Sequence, residues 1–204
     1  MVKKIVGTGV LLVLALALQA GVKMYTLKSP DGKVKLEVTA GQGIAYSLFY
    51  DGRLLLKPSR IALHTDLPEA DHWENIRITG TKQRHVSETV QAPFYRVKEF
   101  GIDCNELELR LNNGFLLLMR AYNDGMAYRF VAGRKGEMTV VEERAEFNFA
   151  DDFEAYIPYS TNPKDPWNMA FQNFYTKAPL TQYNTELPAF LPLTVDAGAV
   201  KLTL

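Results

Sequence analysis

The stretch ELELRLNNGFLLLMRAYNDGMAYRF, residues 106–130, decides the fold. Leu107, Leu109 and Leu111 alternate with Glu106, Glu108 and Arg110, the period of two that gathers apolar side chains on one face of a strand. Asn112-Asn113-Gly114 supplies turn chemistry before a second strand over Phe115–Tyr122. Asn123-Asp124-Gly125 then turns the chain into a third strand over 126–131. Taken as a three-residue loop with Gly125 in the left-handed region, that turn is a G1 bulge. It sets Arg120 opposite Tyr128 and Arg129 opposite Met119, so the two arginines go to opposite faces. Arg120 then lies along tyrosine rings, and if buried it requires a carboxylate or carbonyl partner.

The same texture extends outward. In GKVKLEVTA, Val34, Leu36 and Val38 alternate with charged residues, after the turn formed by Pro30 and Gly32. AYSLFYDGRLLLKPS is a hairpin with Asp51-Gly52 at its corner, and MTVVEERAEFNF alternates near Phe147 and Phe149. No window sustains a helical period. Short strands punctuated by glycine turns predict an all-β, antiparallel sandwich. From Ala155 to Leu180 the chain carries Pro158, Pro163, Pro166 and Pro179 among aromatic and polar residues, too much proline for central strands. A long ordered loop is expected there, the kind of segment that carries function. The last eighteen residues form a strand, an Ala197-Gly198 turn and a second strand from Val200. A chain that stops in that strand leaves its edge unpaired, so the sandwich is expected to be incomplete at its C-terminus.

At the other end, Lys3 and Lys4 precede an apolar run from Val10 to Leu18 and small or polar residues ending at Ala20. These are the parts of a secretory signal over residues 1–20, and the run is too short for a stable membrane span. Residues 21–204 are then an exported domain, best suited to a bacterial periplasm. The single cysteine, Cys104, can close no internal disulfide and reads as a small buried hydrophobe. Lys plus Arg and Asp plus Glu number 23 each, so no field favours nucleic acid or an anionic membrane surface.

The candidate chemistries are sparse. His64, His72 and His85 lack the spacing of a zinc site or a nucleophile–base pair. Glu142 and Glu143 are adjacent in a strand and point to opposite faces, which rules them out as the paired carboxyls of a glycosidase. Asp151 and Asp152 read as solvated turn acids. Trp167, in the proline-rich loop, offers a flat apolar ring able to stack on a sugar, or to pin the loop to the sandwich.

RAYNDGMAYRF, residues 120–130, resembles the R-x-[YF]-N-D-G signature of the N-terminal domain of glycoside hydrolase family 97. SPDGKVKLEV, YSLFYDGRLLLKPSRIAL, CNELELRL, EFNF and AYIP follow in the family's order across residues 25–204. The resemblance implies a galactose-mutarotase-like super-β-sandwich preceding a catalytic (β/α)8 barrel in exported bacterial α-glucosidases or α-galactosidases. The barrel carries the catalytic carboxylates and is not in this chain, so no catalytic residue is expected here. It also implies calcium near the sugar, with a glutamate of the loop as ligand. Gln172 stands at that position, and Gln172 with Asn173 are the candidate ligands, offering neutral oxygens but no charge. The implied partners are an oligosaccharide substrate and the downstream barrel. The competing expectation is a stand-alone, non-enzymatic carbohydrate-binding sandwich that uses Trp167 as its platform.

Overall fold

In the computed structural model, residues 23–133, 135–162, 164–167 and 173–204 are described. The proposed signal segment and Gln172 lie outside them. Three antiparallel sheets account for the regular structure, and the described residues contain no α-helix. The first sheet is ordered β1-β2-β3-β4-β9: β1 (Lys23–Lys28), β2 (Val34–Gly41), β3 (Gly43–Tyr50), β4 (Arg53–Thr65) and β9 (Val140–Ala145). The second is β5 (Ile78–Gln91), β6 (Glu99–Leu111), β7 (Phe115–Tyr122) and β8 (Gly125–Ala132), in that order. A smaller third sheet runs β11 (Thr176–Pro179), β10 (Glu154–Ile157), β12 (Thr194–Asp196) and β13 (Lys201–Thr203).

The alternating strands bury the face that their pattern predicts. Leu36, Val38 and Ile44 of the first sheet and Leu107, Leu109, Leu117 and Met119 of the second are fully buried in one core. Each such side chain contributes about 1.5–3 kcal/mol by leaving water. Trp73, in the connection between β4 and β5, stacks on Phe115 at 6.1 Å and meets Phe130 edge-on at 5.3 Å. The Tyr46 and Tyr128 rings, 6.4 Å apart, join the two sheets, and burial pushes the Tyr46 hydroxyl up to about 12. The free edge of β1 is covered by side chains: Gln83 Nε2 donates to Thr26 O, and Asn105 Nδ2 to Lys28 O.

The hairpin at 122–125 corrects the expected register. Tyr122 pairs with Gly125 around a two-residue turn, and none of Asn123, Asp124 and Gly125 has a positive φ. Arg120 therefore faces Ala127, Met119 faces Tyr128, and Leu118 faces Arg129. Removing one residue from the loop flips every partner on β8 to the other face. Both arginines consequently project from the outer face of the second sheet, while Tyr128 and Phe130 turn inward. The turn is held by tertiary structure, since Asn123 Oδ1 accepts a hydrogen bond from Asp31 N at 3.0 Å. By contrast, Asp51 and Gly52 both have positive φ, as the tight β3–β4 hairpin requires.

Arg120 finds its partner in Glu106, not in a tyrosine face. Glu106 is flanked by Arg84 Nε at 2.7 Å and Arg120 Nε at 2.8 Å, which leave its side chain 4% exposed. Burial alone would raise the Glu106 pKa, but the hydrogen bonds and charges of the two arginines outweigh it and hold the carboxyl below its ordinary value.

One backbone approach is close enough to forbid a side chain. Gly133 N donates to Gly114 O at 3.0 Å, and a Cβ on Gly133 would stand 2.6 Å from that oxygen. Gly133→Ala should lower stability by about 1–3 kcal/mol in urea melts. Gly101→Ala, with open space at its Cβ, should change it by about 0.5 kcal/mol or less.

Candidate functional site

The proline-rich segment is bounded by strands. β10 and β11 pair antiparallel, from Glu154 with Pro179 to Ile157 with Thr176, so the connection that leaves at Pro158 and returns at Tyr175 is closed at its base. Its first residues dock on the segment before β12. Tyr159 bridges Ala189, Ser160 N donates to Pro188 O, and Phe190 N donates to Pro158 O. The next turn is organised by Asn162, whose Oδ1 accepts from Lys164 N and Asp165 N. This places Trp167 at the surface, 76% exposed, with its ring perpendicular to Phe190 at 6.0 Å between centroids. The Trp167 side chain rests on Phe190 but is not buried by it.

On the returning limb, Asn173 Nδ2 donates to Tyr159 O at 3.0 Å. Tyr159 packs on Tyr183 at 5.4 Å and accepts from Asn184 N through its hydroxyl. Phe174 is fully exposed and Tyr175 half exposed, so the loop displays aromatic surface on both limbs. The arrangement supplies flat apolar faces beside backbone polar groups, the composition that suits a sugar ring.

Metal ligation can be examined on the donors present. Asn173 commits its amide nitrogen to Tyr159, which leaves Oδ1 as the atom able to face a cation. Calcium takes six to eight oxygens, most often with carboxylates among them. Among the described residues no group of three His, Cys, Asp or Glu could hold a metal. One neutral oxygen does not make a calcium site, and the described residues do not fit the ion by themselves.

The acids have other work. Asp152 accepts from both Thr181 N and Thr181 Oγ1, fixing the start of the short 3-10 turn over Leu180–Gln182. Glu154 pairs with Lys177 across β10 and β11, and Glu143 accepts from Tyr128 Oη. His64 pairs with Asp71 at 2.8 Å, while His85 reaches Asp103 and Asn105, so the two are far apart in role and partners. Sequence reasoning missed an open groove of about 880 Å³ beside the loop base, lined by Lys57, Asn148, Asp151, Thr181 and Tyr183 among others. Its walls come from five separate segments, so no local pattern announces it.

Comparison with known proteins places these features in context. The family model described as Glycosyl-hydrolase 97 N-terminal matches residues 27–204. A retaining alpha-galactosidase of Bacteroides thetaiotaomicron is 40% identical over 189 residues, covering 90% of this chain and 28% of the relative. A glycoside hydrolase family 97 enzyme from Pseudoalteromonas sp. strain K8, solved with acarbose, superposes with a TM-score of 0.66 at 18% identity. That match covers 84% of this chain and 26% of the other. A beta-arabinopyranosidase gives a TM-score of 0.70 at 22% identity over 84% of this chain and 29% of that one. At such identities the two structures speak to the fold alone. The chain spans 28% of the length of the curated relative, so most of that protein lies outside the match.

Proposed function

Because the chain belongs to the glycoside hydrolase family 97 N-terminal family, we propose that it is the sandwich domain of an exported α-glycosidase that removes terminal α-galactosyl residues from oligosaccharides. The observation that carries the choice of sugar is the 40% identity to a retaining alpha-galactosidase over nearly the whole chain. α-Glucosyl substrates are the near alternative. The catalytic carboxylates belong to a barrel domain elsewhere in the protein, and the present domain supports that barrel. Its loop at 158–175 forms part of the sugar site, with Trp167 as an apolar wall. Calcium, if the complete enzyme uses it, draws its carboxylates from the barrel, with Asn173 and Gln172 adding neutral oxygens. Export to the periplasm rests on the pattern of residues 1–20.

In the full-length gene product, Trp167→Ala should raise KM for an α-galactoside about 3- to 10-fold with little change in kcat, the signature of lost uniform binding. Unchanged KM would remove Trp167 from the site.

A second function, a stand-alone carbohydrate-binding sandwich, is favoured by one observation, the exposure of Trp167 and Phe174 in the chain as it stands. Calorimetric titration with galacto- and malto-oligosaccharides separates the two. Binding by the 204-residue chain that Trp167→Ala abolishes supports the stand-alone module; absence of binding supports the enzyme domain.

A further inference from the structure

We propose that the free edge of β5 pairs antiparallel with β5 of a second copy of this protein, so that the two second sheets become one across a two-fold axis at His85. β5 is the outer strand of its sheet and, with 14 residues, the longest strand described. Its backbone N–H and C=O groups on that side have no neighbouring strand. Folded proteins commonly block such an edge with proline, a bulge or a covering segment. β5 contains no proline, and its pairing with β6 runs without a register shift from Gly80 to Gln91. The edge of β1, by contrast, is covered by Gln83 and Asn105.

Charged side chains also block edges, but those on β5 complement themselves. An antiparallel register centred on His85 sets Lys82 opposite Glu88 of the other copy, and two-fold symmetry makes that pair twice. Thr81 then meets Thr89, and Gln83 meets Ser87. Lys82 and Glu88 are exposed, whereas Arg84 is already engaged by Glu106 and His85 by Asp103. An axis at Arg84 would set that arginine against itself. An axis at Val86 would set Lys82 against Val90 and leave Glu88 only the engaged Arg84.

The β5–β6 hairpin points to the same partner. β7 pairs with β6 only as far as Cys104, so residues 87–91 and 99–103 form a two-stranded ribbon that runs past the sheet. A ribbon of two strands is marginal by itself in water. This one leaves Val90, Phe94, Tyr95, Val97 and Phe100 exposed. In the proposed register it lies along residues 79–83 of the other copy, where β6 and β7 back the sheet, and its aromatic tip reaches that copy's β4–β5 connection. The ribbon gains a third strand, and the same contact is made at both ends. The dimer holds whether or not the protein is a glycosidase.

Sedimentation equilibrium of the intact protein over about 0.1–100 µM tests this, with a reversible monomer–dimer equilibrium expected. Lys82→Glu and Glu88→Lys should each weaken dimerisation about 10-fold or more, with the circular dichroism spectrum unchanged. Combining the two restores opposite charges and should bring the dimer back to within about 3-fold of the parent. Oxidation of His85→Cys should give a disulfide-linked dimer, because the two positions face each other. Ser87→Cys, about 13 Å from its own copy along the strands, should not. A protein that stays monomeric throughout that range overturns the proposal, whether the edge is open or another segment of the protein takes it. So does a dimer indifferent to both charge reversals, or one that cross-links through Ser87→Cys in place of His85→Cys.

Discussion

Glu106→Ala should destabilise the domain by about 2–3 kcal/mol at neutral pH, measured by urea unfolding. The carboxylate is nearly inaccessible, and its removal leaves two guanidinium groups, Arg84 and Arg120, without their shared partner. The figure stays below that of a fully buried pair because the arginine side chains are 56% and 26% exposed and can turn to water. The dependence on pH follows from the sign of the shift. Glu106 is held below its ordinary 4.5 in the folded protein, so its contribution is present in full above that value. It is lost as pH falls through the depressed folded value. The difference between the parent and Glu106→Ala should therefore shrink on acidification from pH 7 to about 3. A difference that grew on acidification would mean that the carboxyl is held protonated by burial.

Tyr128→Ala should cost about 3 kcal/mol, a fall of about 6–12 °C in melting temperature for a domain of this size. Its ring touches Tyr46 and Phe130, and its hydroxyl donates to Glu143. Arg129→Ala, one residue on, should stay within about 0.5 kcal/mol of the parent because that side chain stands on the exposed face. The pair tests the register of the β7–β8 hairpin. A three-residue loop would turn Arg129 inward and Tyr128 outward, and the two costs would be reversed.

That register marks where the sequence stops being sufficient. Turn residues announced the corners at Asp51-Gly52, Asn113-Gly114 and Ala197-Gly198, where each glycine has a positive φ, whereas the β2–β3 turn at Gly41–Gly43 and the β5–β6 hairpin went unread. The strand faces were legible too, since Leu107, Leu109 and Leu111 alternate cleanly into the core. The Asn-Asp-Gly turn was read one residue too long because its geometry depends on Asp31, 92 positions away, which donates to Asn123. Glu106 was invisible for a related reason. On its own strand it is simply the polar residue before a leucine, and only β5 and β7 reveal that two arginines cover it. The loop at 158–175 was signalled by its prolines and Trp167 by its type. The path of its described residues was not, because the pairing of Tyr159 with Ala189 and the contact of Trp167 with Phe190 join positions 30 and 23 residues apart.

The division of labour between this domain and a catalytic barrel is tested most directly by hydrolysis of p-nitrophenyl α-galactoside, followed in parallel for the 204-residue chain and the full-length gene product. Release of p-nitrophenol by the full-length protein, with only background from the 204-residue chain, is the predicted result. Turnover by the 204-residue chain alone would place catalytic carboxylates within the sandwich and contradict the assignment.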